Sequence, residues 1–184
     1  MAATAVLCVL PILLHCRWTA PILGGLHWTG GCRLGAIADT LGASRAALRQ
    51  AARHLIDSGL IMEHPARAGA YELTRTGRRI APACHALYMS LYFRRLDGVG
   101  LKKWPLAVLA ALGSRRRFSE IRALLPAITD RGLALALADL EANRLVSREL
   151  VDGRPPSTVY AATGAARKLL ERLDDLEEAL TGAG

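Results

Sequence analysis

The sequence contains few aromatic residues and no paired cysteine motif. Phe, Trp and Tyr make up 5% of the 184 residues, whereas the hydrophobic fraction is 52% and is dominated by Ala and Leu. This composition favours helices over sheet. The cysteines form no CxxC pair and match no zinc-site spacing, so we expect no metal site and a reducing, cytoplasmic location. They are Cys8, Cys16, Cys32 and Cys84.

A long hydrophobic run and a catalytic signature are also missing. Residues 5–14 are apolar, but this run is too short to span a bilayer and lacks a preceding Lys or Arg. We therefore expect a buried or interface helix there, and no membrane contact. There is no nucleophile elbow, phosphate loop, zinc-hydrolase signature or pair of acids in an apolar context. We expect neither an enzyme nor a bound cofactor.

The charge that is present is basic and unevenly distributed. The net charge is +8 and the isoelectric point is about 9.9, which suits a polyanionic partner. Residues 1–98 contain 11 Arg and five acids, whereas residues 99–184 contain 13 Lys or Arg and 11 acids. The basic surface is therefore expected mainly in the first half of the chain.

The stretch 44–61 combines a helix start, an apolar stripe and a cationic face. Ser44 is a suitable N-cap, because its hydroxyl can accept from a free backbone N–H. The apolar stripe is formed at helical spacing by Leu48, Ala51, Ala52 and Leu55. A face with three cations, an amide and no acid suits a DNA major groove, although an ordinary solvated face is the alternative. That face carries Arg45, Arg49, Gln50 and Arg53.

The order of predicted elements occurs twice, once on each side of a predicted linker at 97–100. The first half has the pattern of helices, two wing strands and a long final helix. The predicted helices lie at 18–28, 33–41, 44–58 and 76–96, and the strands at 60–64 and 71–74. In the second half, residues 129–143 correspond to 44–58, and a helix at 164–180 closes the chain. This repeat predicts two winged helix domains.

Five motifs of the second half occur in a recognisable order. They are Lys103-Trp104, Arg117-Phe118-Ser119-Glu120-Ile121, Leu125-Pro126-Ala127-Ile128-Thr129, Leu140-Glu141-Ala142-Asn143-Arg144-Leu145-Val146 and Tyr160-Ala161-Ala162-Thr163. This run resembles the HxlR-type winged helix-turn-helix regulators of bacterial transcription. The first half resembles them more loosely, at 17–18, 41–44, 59–61 and 71–77. The resemblance implies operator binding in response to aldehydes, quinones or oxidants.

Fusion of two copies departs from that family, whose members are usually single-domain homodimers. The resemblance implies an intramolecular pseudo-dimer, in which the terminal helices of both halves pack together. The long helix would form part of this interface; alternatively, its apolar residues simply pack in the core. These residues are Leu87, Tyr88, Leu91, Tyr92 and Phe93. The resemblance also points to a redox-sensing cysteine near the N-terminus, which would be Cys8 or Cys16. The alternative is that both are small core hydrophobes.

The repeat allows the two candidate DNA-contacting helices to be compared position by position. The exposed face of the first helix consists of Arg45, Arg49, Gln50 and Arg53. In the second helix these positions are, in the same order, Asp130, Ala134, Leu135 and Ala138, and only Arg131 adds a positive charge there. We therefore expect asymmetric binding, in which the first domain dominates. Alternatively, the second helix contacts thymine methyl groups while charge comes from elsewhere. Near the tips of the wings lie Arg67 in the first and Arg154 in the second.

The predicted fold is mainly α with small β wings, as two tandem winged helix-turn-helix domains. The first domain is residues 1–96, and the second is residues 101–184. The predicted function is a transcriptional regulator that binds double-stranded DNA and responds to a small-molecule effector or an oxidant. The alternative is a winged helix scaffold that binds protein and not specific DNA. The pseudo-dimer would be monomeric or would form a homodimer.

Overall fold

Residues 16–96, which the structure describes without a gap, contain four helices and a small antiparallel sheet. A computed structural model describes residues 7, 10–11, 13–14, 16–113, 115–152 and 157–182. The elements of the first half are α1 (Thr19–Thr29), β1 (Cys32–Arg33), α2 (Leu34–Leu41), α3 (Arg45–Asp57), β2 (Ile61–Glu63), β3 (Ala70–Leu73) and α4 (Arg75–Phe93).

The second half repeats this order after a helical turn. Its elements are α5 (Asp97–Gly100), α6 (Pro105–Leu112), β4 (Arg116–Arg117), α7 (Phe118–Leu124), α8 (Asp130–Ala142), β5 (Val146–Val151), β6 (Ser157–Ala162), a 3-10 turn (Gly164–Ala166) and α9 (Arg167–Thr181). The helices and wing strands predicted from the sequence are confirmed to within a few residues. The predicted linker at 97–100 is α5, a helical turn in which Val99 and Gly100 are buried.

The two sheets have the same strand order, and both contain a strand that the sequence did not predict. The first sheet runs β1-β3-β2 and the second runs β4-β6-β5, and all pairs are antiparallel. β1 and β4 each have only two residues, which are too few to show an alternating pattern. Tertiary pairing of these strands with the return strand of the wing therefore creates the third strand.

Equivalent local contacts begin and end the third helix of each half. Ser44 Oγ accepts from the N–H of Ala47, and Thr129 Oγ1 accepts from the N–H of Gly132. After each helix the backbone turns through the left-handed region, at Gly59 (φ 67°) and at Arg144 (φ 58°). Glycine adopts this conformation without strain at the first turn. At the second turn the same conformation is unfavourable for Arg144, because its Cβ crowds the backbone.

The halves pack against each other through their long final helices, α4 and α9, and share one hydrophobic core. Two hydrogen bonds between the halves lie at opposite ends of this contact. Arg79 Nη1 donates to the carbonyl of Gly182 at 3.3 Å, and Arg94 Nη2 donates to that of Ala165 at 2.9 Å. Gly100 allows a close approach, because a Cβ there would collide with Leu91.

The aromatic residues of α4 differ from the predicted interface. Leu87 and Leu91 are buried, as expected for packing between the halves. Tyr92 and Phe93 are instead 56% and 75% exposed, so they do not fill the contact between α4 and α9. They lie in the last turn of α4.

The apolar N-terminal run contributes to the core where the structure describes it. Its buried residues are Leu7, Leu10, Leu13 and Leu14. Burial of these leucines agrees with the expectation of a buried helix. Among the described residues, no helix combines the length and apolar character needed to cross a bilayer.

Candidate nucleic-acid interface

Helix α3 buries its predicted stripe and exposes its predicted cationic face. The stripe residues Leu48, Ala51, Ala52 and Leu55 are at most 1% exposed. α2 precedes this helix and packs against it, separated by a short turn whose Gly42 has φ 59°. The side chains on the opposite face are all exposed to solvent. They are Arg45, Arg49, Gln50 and Arg53.

The guanidinium groups of this face have no acidic partner among the described residues. Every ion pair that the described part of the chain contains joins two residues of the second half. Arg45, Arg49 and Arg53 therefore keep their full charge for an external anion. Such a face can bind phosphate oxygens without first breaking an internal ion pair.

Helix α8 presents a different surface on the same scaffold. Leu133, Leu137 and Leu140 are buried, as are their equivalents in α3. Its exposed positions include Leu135, which is 58% exposed, together with Ala134 and Ala138. The surface is therefore largely apolar. Arg131 is exposed and is the cation that the sequence predicted for this helix.

Acidic residues of α8 neutralise cations from neighbouring elements. Asp130 Oδ1 accepts from Nε of Arg122 at 3.0 Å, and Asp139 Oδ2 accepts from Nζ of Lys102 at 2.8 Å. Exposed pairs of this kind add little to stability. Their effect is to lower the positive potential beside α8, in contrast to α3.

The two wings also differ in the surroundings of their Arg side chains. In the first, the β2–β3 hairpin closes with a hydrogen bond from the N–H of Ala70 to the carbonyl of Arg67, which leaves the Arg67 side chain exposed at the tip. In the second, Arg115 at the base is bound to Glu149 of β5 at 2.7 Å. Arg154, predicted for the second tip, lies outside the described residues.

The described cysteines are Cys16, Cys32 and Cys84, and these three form no disulfide. Cys8 lies outside the described residues, and Cys16 is half-buried against the core. Burial raises the pKa of Cys84 to about 12, which keeps this thiol protonated. Within the described residues, no group of three or more His, Cys, Asp or Glu side chains is arranged to hold a metal ion.

A second group of residues lies between α1, α2 and α4, and the sequence reasoning did not identify it as a site, because it assigned Tyr88 and Tyr92 to the interface between the halves or to core packing. His85, Tyr88 and Tyr92 recur at helical spacing on one side of α4, and this spacing could have identified them. Trp28 of α1 joins them, because its Nε1–H donates to Nε2 of His85 at 2.8 Å. Burial, followed by nearby His27, lowers the pKa of His85 and so favours the neutral ring that this bond requires.

Comparison with known proteins identifies relatives among helix-turn-helix proteins. The chain is 32% identical over 87 residues to the uncharacterized HTH-type transcriptional regulator YvaP of Bacillus subtilis, covering 47% of this chain and 81% of YvaP. It is 36% identical over 74 residues to the uncharacterized HTH-type transcriptional regulator YybR of the same organism. That match covers 40% of this chain and 59% of YybR, which is less than two thirds of the relative.

A solved structure of the redox regulator HypR in its oxidized form is also similar. Its sequence identity is 31%, its TM-score is 0.44, and the match covers 52% of this chain and 97% of that chain. A profile described as HxlR-like helix-turn-helix matches residues 99–182. With this match and the similarity to YvaP, the chain belongs to the HxlR-like helix-turn-helix family.

Proposed function

We propose that the protein is a transcriptional regulator that binds double-stranded DNA mainly through α3. The observation that carries this proposal is the exposed face of three guanidinium groups without acidic partners among the described residues. Cations in this state can displace counterions from a duplex, and an exposed Gln beside them can contact adenine. Family membership supports a helix-turn-helix role for the chain.

The proposed DNA contacts are unequal between the halves. On α3 they are Ser44, Arg45, Arg49, Gln50 and Arg53, and the first wing adds Arg67. In the second half, Arg131 and Arg154 make smaller contributions. The neutralised cations beside α8 and its exposed Leu135 support this asymmetry, since neither feature attracts phosphate.

We also propose that the chain is a tandem duplication of one winged helix domain. The domains are residues 1–96 and 101–184, joined by 97–100 into an intramolecular pseudo-dimer. The repeated element order, the equal strand orders and the packing of α4 against α9 support this arrangement. A small molecule or an oxidant that changes the angle between the halves would change operator occupancy.

A second candidate function is a protein-binding scaffold. The observation that favours it is the apolar exposed face of α8, where Leu135 is 58% exposed. An exposed leucine flanked by two alanines on one helix face suits a partner helix better than a phosphate backbone. The cationic face of α3 favours DNA instead.

A salt-dependent gel shift with a random-sequence duplex tests the proposal. Three phosphate contacts by α3 predict that affinity falls roughly 40-fold between 50 and 200 mM salt, because counterion release sets the slope. Absence of binding at the lower salt concentration would contradict DNA binding and favour the scaffold. For the oxidant response, mass spectrometry after diamide treatment is expected to find modified Cys8 or Cys16, and unmodified thiols would contradict it.

A further inference from the structure

A cavity of about 440 Å³ lies between α1, α2 and α4 in the first half. Its size is in the range of small-molecule sites. α1 contributes Gly24 and Gly25 to its wall, and the absence of side chains at these two residues lets α1 approach His85 and Ile37 closely. A Cβ at Gly25 would lie 3.1 Å from Cδ1 of Ile37, so this part of the wall is already closely packed.

Two aromatic side chains form an exposed rim around this cavity. Trp28 is 73% exposed and Tyr92 is 56% exposed, although both are large and largely apolar. The Trp28 ring is held in place, because its N–H donates to His85 and the two rings meet edge to face at 5.5 Å. A fixed, exposed aromatic ring loses unfavourable hydration when a flat apolar molecule covers it.

The cavity wall has no ionised side chain among the described residues that line it. His85 is the residue there that could become charged, and Nε2 of its ring accepts from Trp28. The neutral ring therefore carries its proton on Nδ1, which faces the backbone of α1 near Gly24. A ligand with a net charge would lose its hydration without contacting an oppositely charged side chain of the lining.

Tyr88 supplies one polar group that is available to a ligand. Its side chain is half-buried in the wall, and its hydroxyl has no hydrogen-bond partner among the described residues. Burial, followed by the charge of Asp97 and nearby Tyr92, raises the pKa of Tyr88, while Arg17 lowers it. The hydroxyl is therefore an O–H donor at neutral pH.

We propose that this cavity binds a neutral aromatic small molecule with one hydrogen-bond acceptor. The aromatic ring lies against Trp28 and Tyr92, and the acceptor receives the hydroxyl proton of Tyr88. The cavity wall includes α2, which packs against α3. Occupancy is therefore expected to alter the position of α3. This regulatory consequence rests on the proposed DNA-binding function, whereas ligand binding itself does not.

Equilibrium dialysis of the whole chain with three naphthalene probes tests the site. 2-Acetylnaphthalene is neutral and has an acceptor, 2-ethylnaphthalene lacks the acceptor, and 2-naphthoate is an anion. The acetyl compound is expected to bind about 2- to 10-fold more tightly than the ethyl compound, as one hydrogen bond would give. Naphthoate is expected to bind at least about tenfold more weakly than the acetyl compound. Equal or tighter binding of the anion would overturn the proposal.

Variants localise the binding to this cavity. Ala36 is exposed and lines it, whereas its neighbour Gly35 is exposed and has open space around it. Ala36→Phe is expected to weaken 2-acetylnaphthalene binding at least about tenfold, while Gly35→Phe changes it less than about twofold. Tyr88→Phe is expected to abolish the preference for the acetyl over the ethyl compound. If both Phe substitutions weakened the binding of 2-acetylnaphthalene equally while the unfolding temperatures stayed unchanged, the compound would bind outside this cavity.

A gel shift with the same variants separates the regulatory part from the binding part. The acetyl compound is expected to change duplex affinity of the unmodified chain and to leave that of Ala36→Phe unchanged. Dialysis detects ligand binding without DNA, so failure of DNA binding is distinguishable from failure of this site. Sedimentation as a dimer that Trp28→Ala converts to a monomer would overturn the proposal, because a second copy would then cover the rim.

Discussion

Helices α3 and α8 occupy equivalent places in the two halves and use the same apolar scaffold for different surfaces. Each has a side-chain cap at its start, a buried stripe and a left-handed turn after its end. Their exposed faces differ, with cations and an amide on α3 and mainly Ala and Leu on α8. The buried stripe is therefore the part that the fold requires, whereas the residues of the exposed face can change with function.

The surroundings of the two helices extend this difference. Cations beside α8 are bound to carboxylates, including Asp130 and Asp139 of the helix itself. The Arg side chains of α3 have no such partner among the described residues. The difference in net charge between the halves is therefore accompanied by a local difference, because the cations bound beside α8 lie next to carboxylates and those of α3, within the described residues, do not.

The largest expected effect tests the shared stripe. Leu55→Ala and Leu140→Ala each remove a fully buried side chain at equivalent positions. Each is expected to lower the free energy of unfolding by about 2–5 kcal/mol, measured by urea denaturation. The exposed Leu135 is the control, and Leu135→Ala is expected to change stability by less than about 0.5 kcal/mol. A small effect at Leu140 alone would mean that the halves do not share the same packing requirement.

Removal of cations from α3 is expected to have the next largest effect, on DNA affinity. Arg49→Ala with Arg53→Ala should abolish operator binding and lower random-duplex affinity about 10- to 100-fold at low salt. Arg131→Ala on α8 should lower it less than about threefold, because that helix contributes little. Fluorescence anisotropy with a labelled duplex measures both. Similar losses from the two helices would disprove the asymmetry.

Transfer of cations to α8 should produce a smaller gain. Ala134→Arg with Ala138→Arg places charge at the positions equivalent to Arg49 and Arg53. We expect about tenfold tighter binding to a random duplex, and a salt slope steeper by up to about 2. Asp174→Arg on α9 changes the net charge by the same amount and should have a weaker effect. An equal gain from this control would show that overall charge, not position, controls affinity.

The smallest expected effect concerns the turn that follows each helix. Arg144→Gly should raise the free energy of unfolding by about 1 kcal/mol, because glycine adopts the left-handed conformation without strain. Gly59→Arg should lower it by a similar amount. Arg144→Ala is the control, since it shortens the side chain but keeps the strain. A gain from the Ala variant equal to that from Gly would assign the effect to the side chain instead.

Much of the fold follows from local signals. Helix starts at Ser44 and Thr129 are set by hydroxyls that accept backbone N–H groups, and periodic Leu and Ala identify the buried faces. Strands β1 and β4 were not predicted because two residues carry no periodicity. The exposure of Tyr92 and Phe93 was not predicted either, because burial at the end of a helix depends on tertiary packing and not on helical spacing.

The candidate DNA face was predictable to the level of side-chain exposure. Arg45, Arg49 and Arg53 are exposed because they lie opposite the stripe, and helix geometry requires this. The ion pairs of the second half that join separate elements were not predictable. They join residues up to 37 positions apart, such as Lys102 and Asp139, which approach each other when helices pack.

The sequence by itself determined the helix caps, the two buried stripes, the wings and the excess of positive net charge in the first half. These depend on residues within one or two turns of each other, so local spacing contains the information. Only the tertiary structure decided which cations remain unpaired, how α4 meets α9, and the cavity beside Trp28 and His85. Those features depend on side chains from separate elements, and their distances are set by packing of the whole chain.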